Sequence, residues 1–105
     1  MTAKPHNQAI HLSMEQRIIG LHLTIVKSSE LIPPQPPTCY ALARRLGIDS
    51  RDVHDLFSQM VARNDAVMVA CPAFDYAQSR FSFTHKGMQR AQSALLEYEM
   101  MELVR

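Results

Sequence analysis

The chain has 105 residues, 47% of them hydrophobic and 20% charged, the composition of one globular domain with a modest core and too short for two. Eleven Lys and Arg against ten Asp and Glu leave a formal net charge of +1, so no overall field draws the protein to nucleic acid or anionic lipid, and any DNA affinity has to come from local clustering. No run approaches the ~18 apolar residues of a membrane span, and no membrane partner is expected.

Residues 1–12, "MTAKPHNQAIHL", are polar, carry Pro5 and Asn7 and show no clear period, so they read as an N-terminal arm, flexible in part. They also lack the long apolar core of a signal peptide. The two cysteines, Cys39 and Cys71, form no Cys-x-x-Cys pair and make no disulfide framework. Both features point to a reducing, cytoplasmic location.

The first strong element follows. Ser13 and Gln16 have the spacing of a capping box, and "EQRIIGLHLTIVK" continues with an apolar surface wider than one stripe. One row holds Ile18, Leu21 and Ile25, the other Ile19, Leu23 and Val26, and both require burial. This predicts a helix over about 14–28. "LIPPQPP" at 31–37 cannot be helical, because each proline removes a backbone donor and restricts the residue before it. Pro-rich runs also serve as ligands for aromatic grooves, but between two patterned helices this one reads as a stiff spacer. Thr38 then offers an N-cap for "CYALARRLG", a short helix ending at Gly47, where a left-handed residue is needed.

Further on, "AVMVA" at 66–70 is apolar and rich in β-branched residues. "CPAFDYAQS" is a loop, and "RFSFT" alternates Phe81 and Phe83 with polar residues. Together they predict a two-stranded hairpin. "THKGMQRAQSALLEYEMMELVR" begins with a threonine cap and continues as a long helix to the C-terminus.

In "CYALARRLGIDSRDVHDLFS", Leu42, Ala43, Leu46, Gly47, Ile48, Val53 and Leu56 fall where the helix-turn-helix motif places apolar or small residues. Ala43 lies where two steeply crossing helices come closest, Gly47 makes the turn, and Ile48 plugs the space beneath it. With the flanking helices and the hairpin, the chain resembles a winged helix-turn-helix domain over about 14–105. "FSFTHKGMQRAQ" is similar to the closing segment of MarR-type and PadR-type regulators, in which a second wing strand leads through Thr, a charged residue and Gly into a dimerisation helix. The expected fold is mainly α with a small β-hairpin wing (α+β). One domain spans 13–105, with residues 85–105 as the dimerisation helix.

The resemblance implies a regulator that binds double-stranded DNA, with its recognition helix over about Ser50–Arg63 in the major groove and its wing on the backbone or minor groove. Carried onto this chain, Ser50, Arg51, His54, Asp55, Ser58 and Gln59 are the recognition-helix candidates. Arg51 is suited to a guanine and Asp55 to a cytosine amine. Arg44, Arg45, Arg80, Lys86 and Arg90 are the candidates for the DNA backbone and the wing. Asp49 and Asp52 suit the positive end of the recognition helix. Asp55 is repelled by phosphate unless Arg51, four residues earlier, or a base amine meets it.

The C-terminal helix is apolar around most of its circumference, more than one small domain covers. A second copy of the chain is the expected cover, with Ile18, Leu21, Ile25, Leu95, Leu96, Met100 and Leu103 at the interface. A symmetric dimer places two recognition helices about 34 Å apart on a pseudo-palindromic site.

Other chemistry finds little support. His11 and His22, even if both were helical, would stand ~16 Å apart, and no metal-ligand spacing, glycine-rich phosphate loop or nucleophile-base pairing is present. Neither an enzyme nor a cofactor or metal is expected. Buried, inert thiols are favoured over redox-sensing ones. Two alternatives stay open: a winged helix that takes a protein partner, and a DNA-binding partition or architectural protein.

Overall fold

The computed structural model describes residues 12–30 and 35–103. The expectations for the arm up to residue 11, for residues 31–34 of the proline run and for Val104 lie outside these residues. The first helix, α1, runs Met14–Ser28 and starts as its sequence requires. Ser13 Oγ accepts from the Gln16 backbone, and Gln16 Oε1 accepts from the Ser13 N–H at 2.9 Å. Two backbone donors at the helix start are thereby satisfied.

The second helix, α2, spans Cys39–Leu46 behind Thr38, whose hydroxyl accepts from Ala41 N at 3.1 Å. Gly47 closes it at φ 70° and ψ 35°, a left-handed conformation that costs glycine nothing. The third helix, α3, spans Ser50–Ala62 with Asp49 as its N-cap. Two strands follow, β1 at Ala66–Ala70 and β2 at Arg80–Phe83, and the last helix, α4, runs His85–Leu103. Thr84 Oγ1 accepts from Gly87 N at 2.9 Å, the threonine cap expected there.

The strands pair antiparallel, with Ala66 opposite Phe83, Met68 opposite Phe81 and Ala70 opposite Arg80, and a register shift falls between Met68 and Ala70. On the other side of β2, a single bridge joins Arg80 to Thr38, and Cys39 N donates to Ser79 O at 3.0 Å. The start of α2 is thus tied to the hairpin.

One core joins all these elements. Ile18, Leu21, Leu42, Val53, Phe57, Met60 and Phe81 are each about 1% exposed or less. Helices α1 and α4 cross at Gly20, where any Cβ would overlap the Tyr98 side chain, and the pair is tied further by Gln16 to Glu97 and by Lys27 to Glu99. Leu12, at the end of the predicted arm, is buried in the same core.

This packing accounts for several of the residues expected at the interface. Ile18, Leu21 and Leu95 are buried within the single chain, and Ile25 is half-buried against the same core. They are core residues because α1 and α4 cover each other, which periodicity alone cannot reveal. Leu96, Met100 and Leu103 remain 61%, 63% and 85% exposed. Their spacing of four and three residues aligns them in one stripe on α4.

Candidate nucleic-acid interface

The turn between α2 and α3 is built from backbone. Gly47 N and Ile48 N both donate to the carbonyl of Ala43, which is itself buried where the two helices meet. Asp49 Oδ1 accepts from Arg51 N at 2.9 Å, and Asp52 lies in the first turn of α3. Both carboxylates therefore serve the helix start, one by capping and one through the dipole.

Val53, Phe57 and Met60 anchor α3 in the core, with Leu56 half-buried beside them. On the outer side Arg51, Asp55, Ser58 and Gln59 are exposed, and Ser50 is half-buried. His54 turns toward the hairpin instead: its ring centroid lies 5.7 Å from that of Phe81 and 5.9 Å from that of Tyr76. Its exposed neighbours and its own ring are thus presented in different directions.

The acidic residue in the middle of α3 makes no ion pair with Arg51 among the described residues. Asp55 Oδ1 is 3.9 Å from His54 Nδ1, whereas the Arg51 guanidinium carbon lies 5.8 Å from the Tyr76 ring centroid. Arg51 therefore joins α3 to the hairpin loop through a cation–π contact. Tyr76 sits in an irregular loop and carries no spacing signal in the sequence. Tyr40 was equally missed, yet its hydroxyl accepts from Arg44 at 3.0 Å, a pairing that the four-residue spacing on α2 does announce.

The remaining cations fall into separate settings. Arg45 is exposed and lines, with Arg17, Leu46 and Met101, a cavity of about 360 Å³ between α1, α2 and α4. Arg80 is half-buried and donates to the Pro36 carbonyl. Lys86 and Arg90 converge with Arg63 on the buried Asp65 carboxylate, at 3.9, 3.5 and 3.1 Å. Arg63 also reaches Glu15 at 3.1 Å, and Lys86 donates to the Arg63 carbonyl at 2.9 Å. This cluster ties the end of α3 and the starts of β1 and α4 to α1. The candidate cations thus differ in their partners: Arg44 and Arg51 engage tyrosines, while Lys86 and Arg90 share a carboxylate.

Cys39 is buried with its Sγ 3.3 Å from Ser79 Oγ, and burial pushes its thiol pKa up, with the Ser79 hydrogen bond opposing the shift. A thiol so held is a poor source of thiolate. Among the described residues no group of three His, Cys, Asp or Glu side chains could hold a metal ion, and no helix is long and apolar enough to cross a membrane.

No protein-family model and no curated protein matches the chain. Solved structures do. A Gly-to-Lys mutant of MepR from S. aureus superposes with a TM-score of 0.59 at 14% identity, covering 97% of this chain and 74% of that one. A Phe-to-Leu MepR mutant bound to an oligodeoxyribonucleotide gives 0.55 at 15%, over 89% of this chain and 62% of the other. The multiple antibiotic-resistance repressor MarR from Listeria monocytogenes gives 0.52 at 18%, over 92% and 62%. This chain spans less than two thirds of the last two. The helix-turn-helix, the hairpin and the two crossing end helices together give the chain the winged helix-turn-helix fold of these MarR-type proteins.

Proposed function

We propose that the protein is a small cytoplasmic transcriptional regulator that binds double-stranded DNA sequence-specifically as a homodimer. The observation that carries this reading is the outer side of α3. Arg51, Asp55, Ser58 and Gln59 are exposed there on a helix whose opposite side is locked into the core. Rigid presentation of hydrogen-bonding side chains at that position is what major-groove readout needs. The oligodeoxyribonucleotide bound to a MepR mutant of the same fold supports it. Arg44 and Arg45 are the proposed phosphate contacts on α2. Arg80, Lys86 and Arg90 are the proposed contacts beside the wing, with part of their charge already met by protein groups. The apolar stripe of Leu96, Met100 and Leu103 is the proposed dimer seam.

The near-zero net charge and the carboxylates of Asp52 and Asp55 imply weak nonspecific binding, with dimerisation and selective contacts supplying the affinity. Selection from a random double-stranded DNA pool at physiological salt tests the reading. An enriched inverted repeat with half-sites one turn apart is expected, and no enrichment by folded, monodisperse protein would refute it. A second reading, a winged helix that docks on protein, is favoured by one observation. Val67, Met68 and Val69 are three successive exposed apolar residues on β1, a pattern more typical of a docking surface than of a solvated strand.

A further inference from the structure

The tip of the hairpin is chemically unlike a phosphate-binding loop. From Asn64 to Ser79 the chain contains no Lys or Arg, and it carries Asp65 and Asp75. At the tip stands Phe74, 97% exposed, the most exposed of the large hydrophobic side chains described. Burying that ring against water is a strong drive with nothing in the described chain to satisfy it.

The loop is built to hold the ring out. Ala73 and Phe74 both adopt positive φ, at 55° and 56°, which a bulky L-residue takes only when its surroundings enforce it. Two consecutive turns do so, Pro72–Phe74 and Tyr76–Gln78. Asp75 N donates to Pro72 O at 3.0 Å, Gln78 N to Asp75 O at 3.0 Å, and Ser79 N to Tyr76 O at 3.2 Å. The Asp75 carboxylate accepts from Ala77 N at 3.0 Å, so its charge is used inside the loop. Ser79, wholly buried, closes the base against Cys39. Two residues after Phe74, Tyr76 packs against His54 and lies under Arg51 of α3. The tip is thereby fixed relative to the recognition helix.

We propose that Phe74 is a wedge that enters the minor groove of bound DNA beside each half-site and partly unstacks one base step. This rests on the DNA-binding reading and extends it to a contact of a different kind. A groove occupant without positive charge gains little from phosphate, so the gain has to come from apolar contact. Insertion of apolar side chains between base pairs supplies it and bends the duplex. A single ring held out at the tip of a turn suits a base step, whereas the exposed Val67, Met68 and Val69 on β1 are the contiguous patch that a protein surface would bury. The cost falls with the stacking energy of the step, so flexible pyrimidine–purine steps flanking the half-sites are the expected targets.

The experiment uses the selected duplex with 2-aminopurine placed in turn at each adenine flanking the half-sites, and compares the wild-type protein with Phe74→Ala and Phe74→Leu. Because Phe74 packs on nothing in the described chain, an unchanged unfolding midpoint is expected for both variants. The wild-type complex is expected to raise fluorescence at one step per half-site. Phe74→Ala is expected to abolish that rise and weaken binding at least about fivefold, while Phe74→Leu retains most of both. Equal affinity for wild-type and Phe74→Ala, with no fluorescence change, overturns the wedge alone and leaves the tip to a protein partner. Weaker binding without any fluorescence change overturns it too, as the ring would then touch DNA outside the stack. Failure of the wild-type protein to bind any duplex overturns the wedge and the DNA reading together.

Discussion

His22 and Phe81, 59 residues apart, are joined by a hydrogen bond of 2.8 Å between the imidazole Nε2 and the Phe81 carbonyl oxygen. The carbonyl only accepts, so the ring carries its proton on Nε2, and Nδ1 is left buried without a partner among the described residues. The ring packs edge-on against Phe83 at 4.9 Å and tilted against Phe57 at 5.5 Å. One imidazole thus links α1 to β2 through the aromatic core.

Burial pushes the His22 pKa below its ordinary value of 6.5, and the bond to Phe81 only partly opposes this. A folded-state pKa below the unfolded one means that the unfolded chain takes up a proton first as the medium acidifies. Stability is therefore full above about pH 6.5 and falls as the pH drops from there toward the lowered folded value, by up to about 1.4 kcal/mol per pH unit. Urea unfolding midpoints at pH 7.5 and 5.5 measure the loss. His22→Phe should be less stable at neutral pH, for want of the Phe81 bond, and should show a flatter pH dependence. Equal pH dependence in both proteins would exonerate His22.

Asp65→Asn removes the charge on which Arg63, Lys86 and Arg90 converge. The three cations are partly exposed and rehydrate, so the expected cost is that of a charge-assisted hydrogen bond, about 1.5–3 kcal/mol, rather than that of a stranded buried ion. Chemical denaturation measures it. The cost should shrink in Arg63→Ala, where the Nε donor is already gone, as a double-mutant cycle detects.

Gly20→Ala places a methyl group into Tyr98. Overpacking of this kind costs about 1–3 kcal/mol, even though alanine is the better helix former by about 1 kcal/mol. Thermal unfolding should show a lower midpoint for Gly20→Ala.

Leu96→Lys combined with Met100→Lys alters the exposed stripe of α4 and spares the core beneath it. Sedimentation should shift toward monomer with the helical circular dichroism largely kept. The same substitution at Leu95 would instead unfold the chain, because that side chain is buried. An unaltered dimer in the double variant would refute the proposed seam.

Arg51→Ala should relax preference at one position per half-site by about 1–3 kcal/mol if the guanidinium reads a base. A uniform loss across all sequences would make it a phosphate contact. Tyr76→Leu, which keeps bulk but removes the electron-rich ring beneath Arg51, should weaken the same base preference without changing contacts from α2.

Local signals were legible because they act over one helical turn. The Ser13–Gln16 box, the Thr38 cap and the Gly47 stop each announce a boundary within a few residues, and the alternation of Phe81 and Phe83 announces a strand. Partner choice across the chain was not legible. The apolar rows of α1 and α4 showed a demand for burial but not that each helix supplies cover for the other, as it does at Ile18, Leu21 and Leu95. At the site, the face of α3 followed from its period, whereas the capture of Arg51 by Tyr76 and the turning of His54 toward Phe81 depend on how an irregular loop folds back. Asp65 was unreadable for a similar reason: its three cations come from residues two, twenty-one and twenty-five positions away.

The register shift on β1 has a consequence for behaviour at high concentration. Among the described residues β1 pairs with β2 alone, so its outer edge offers unpaired amides and carbonyls beside Val67, Met68 and Val69, the ingredients of runaway strand-on-strand stacking. An irregularity between Met68 and Ala70 interrupts the alternating rhythm of donors and acceptors that an incoming strand would have to match. The kink thus acts as a guard against aggregation, and a deletion of Val69 that straightened the strand would be expected to trade a tidier hairpin for a less soluble protein.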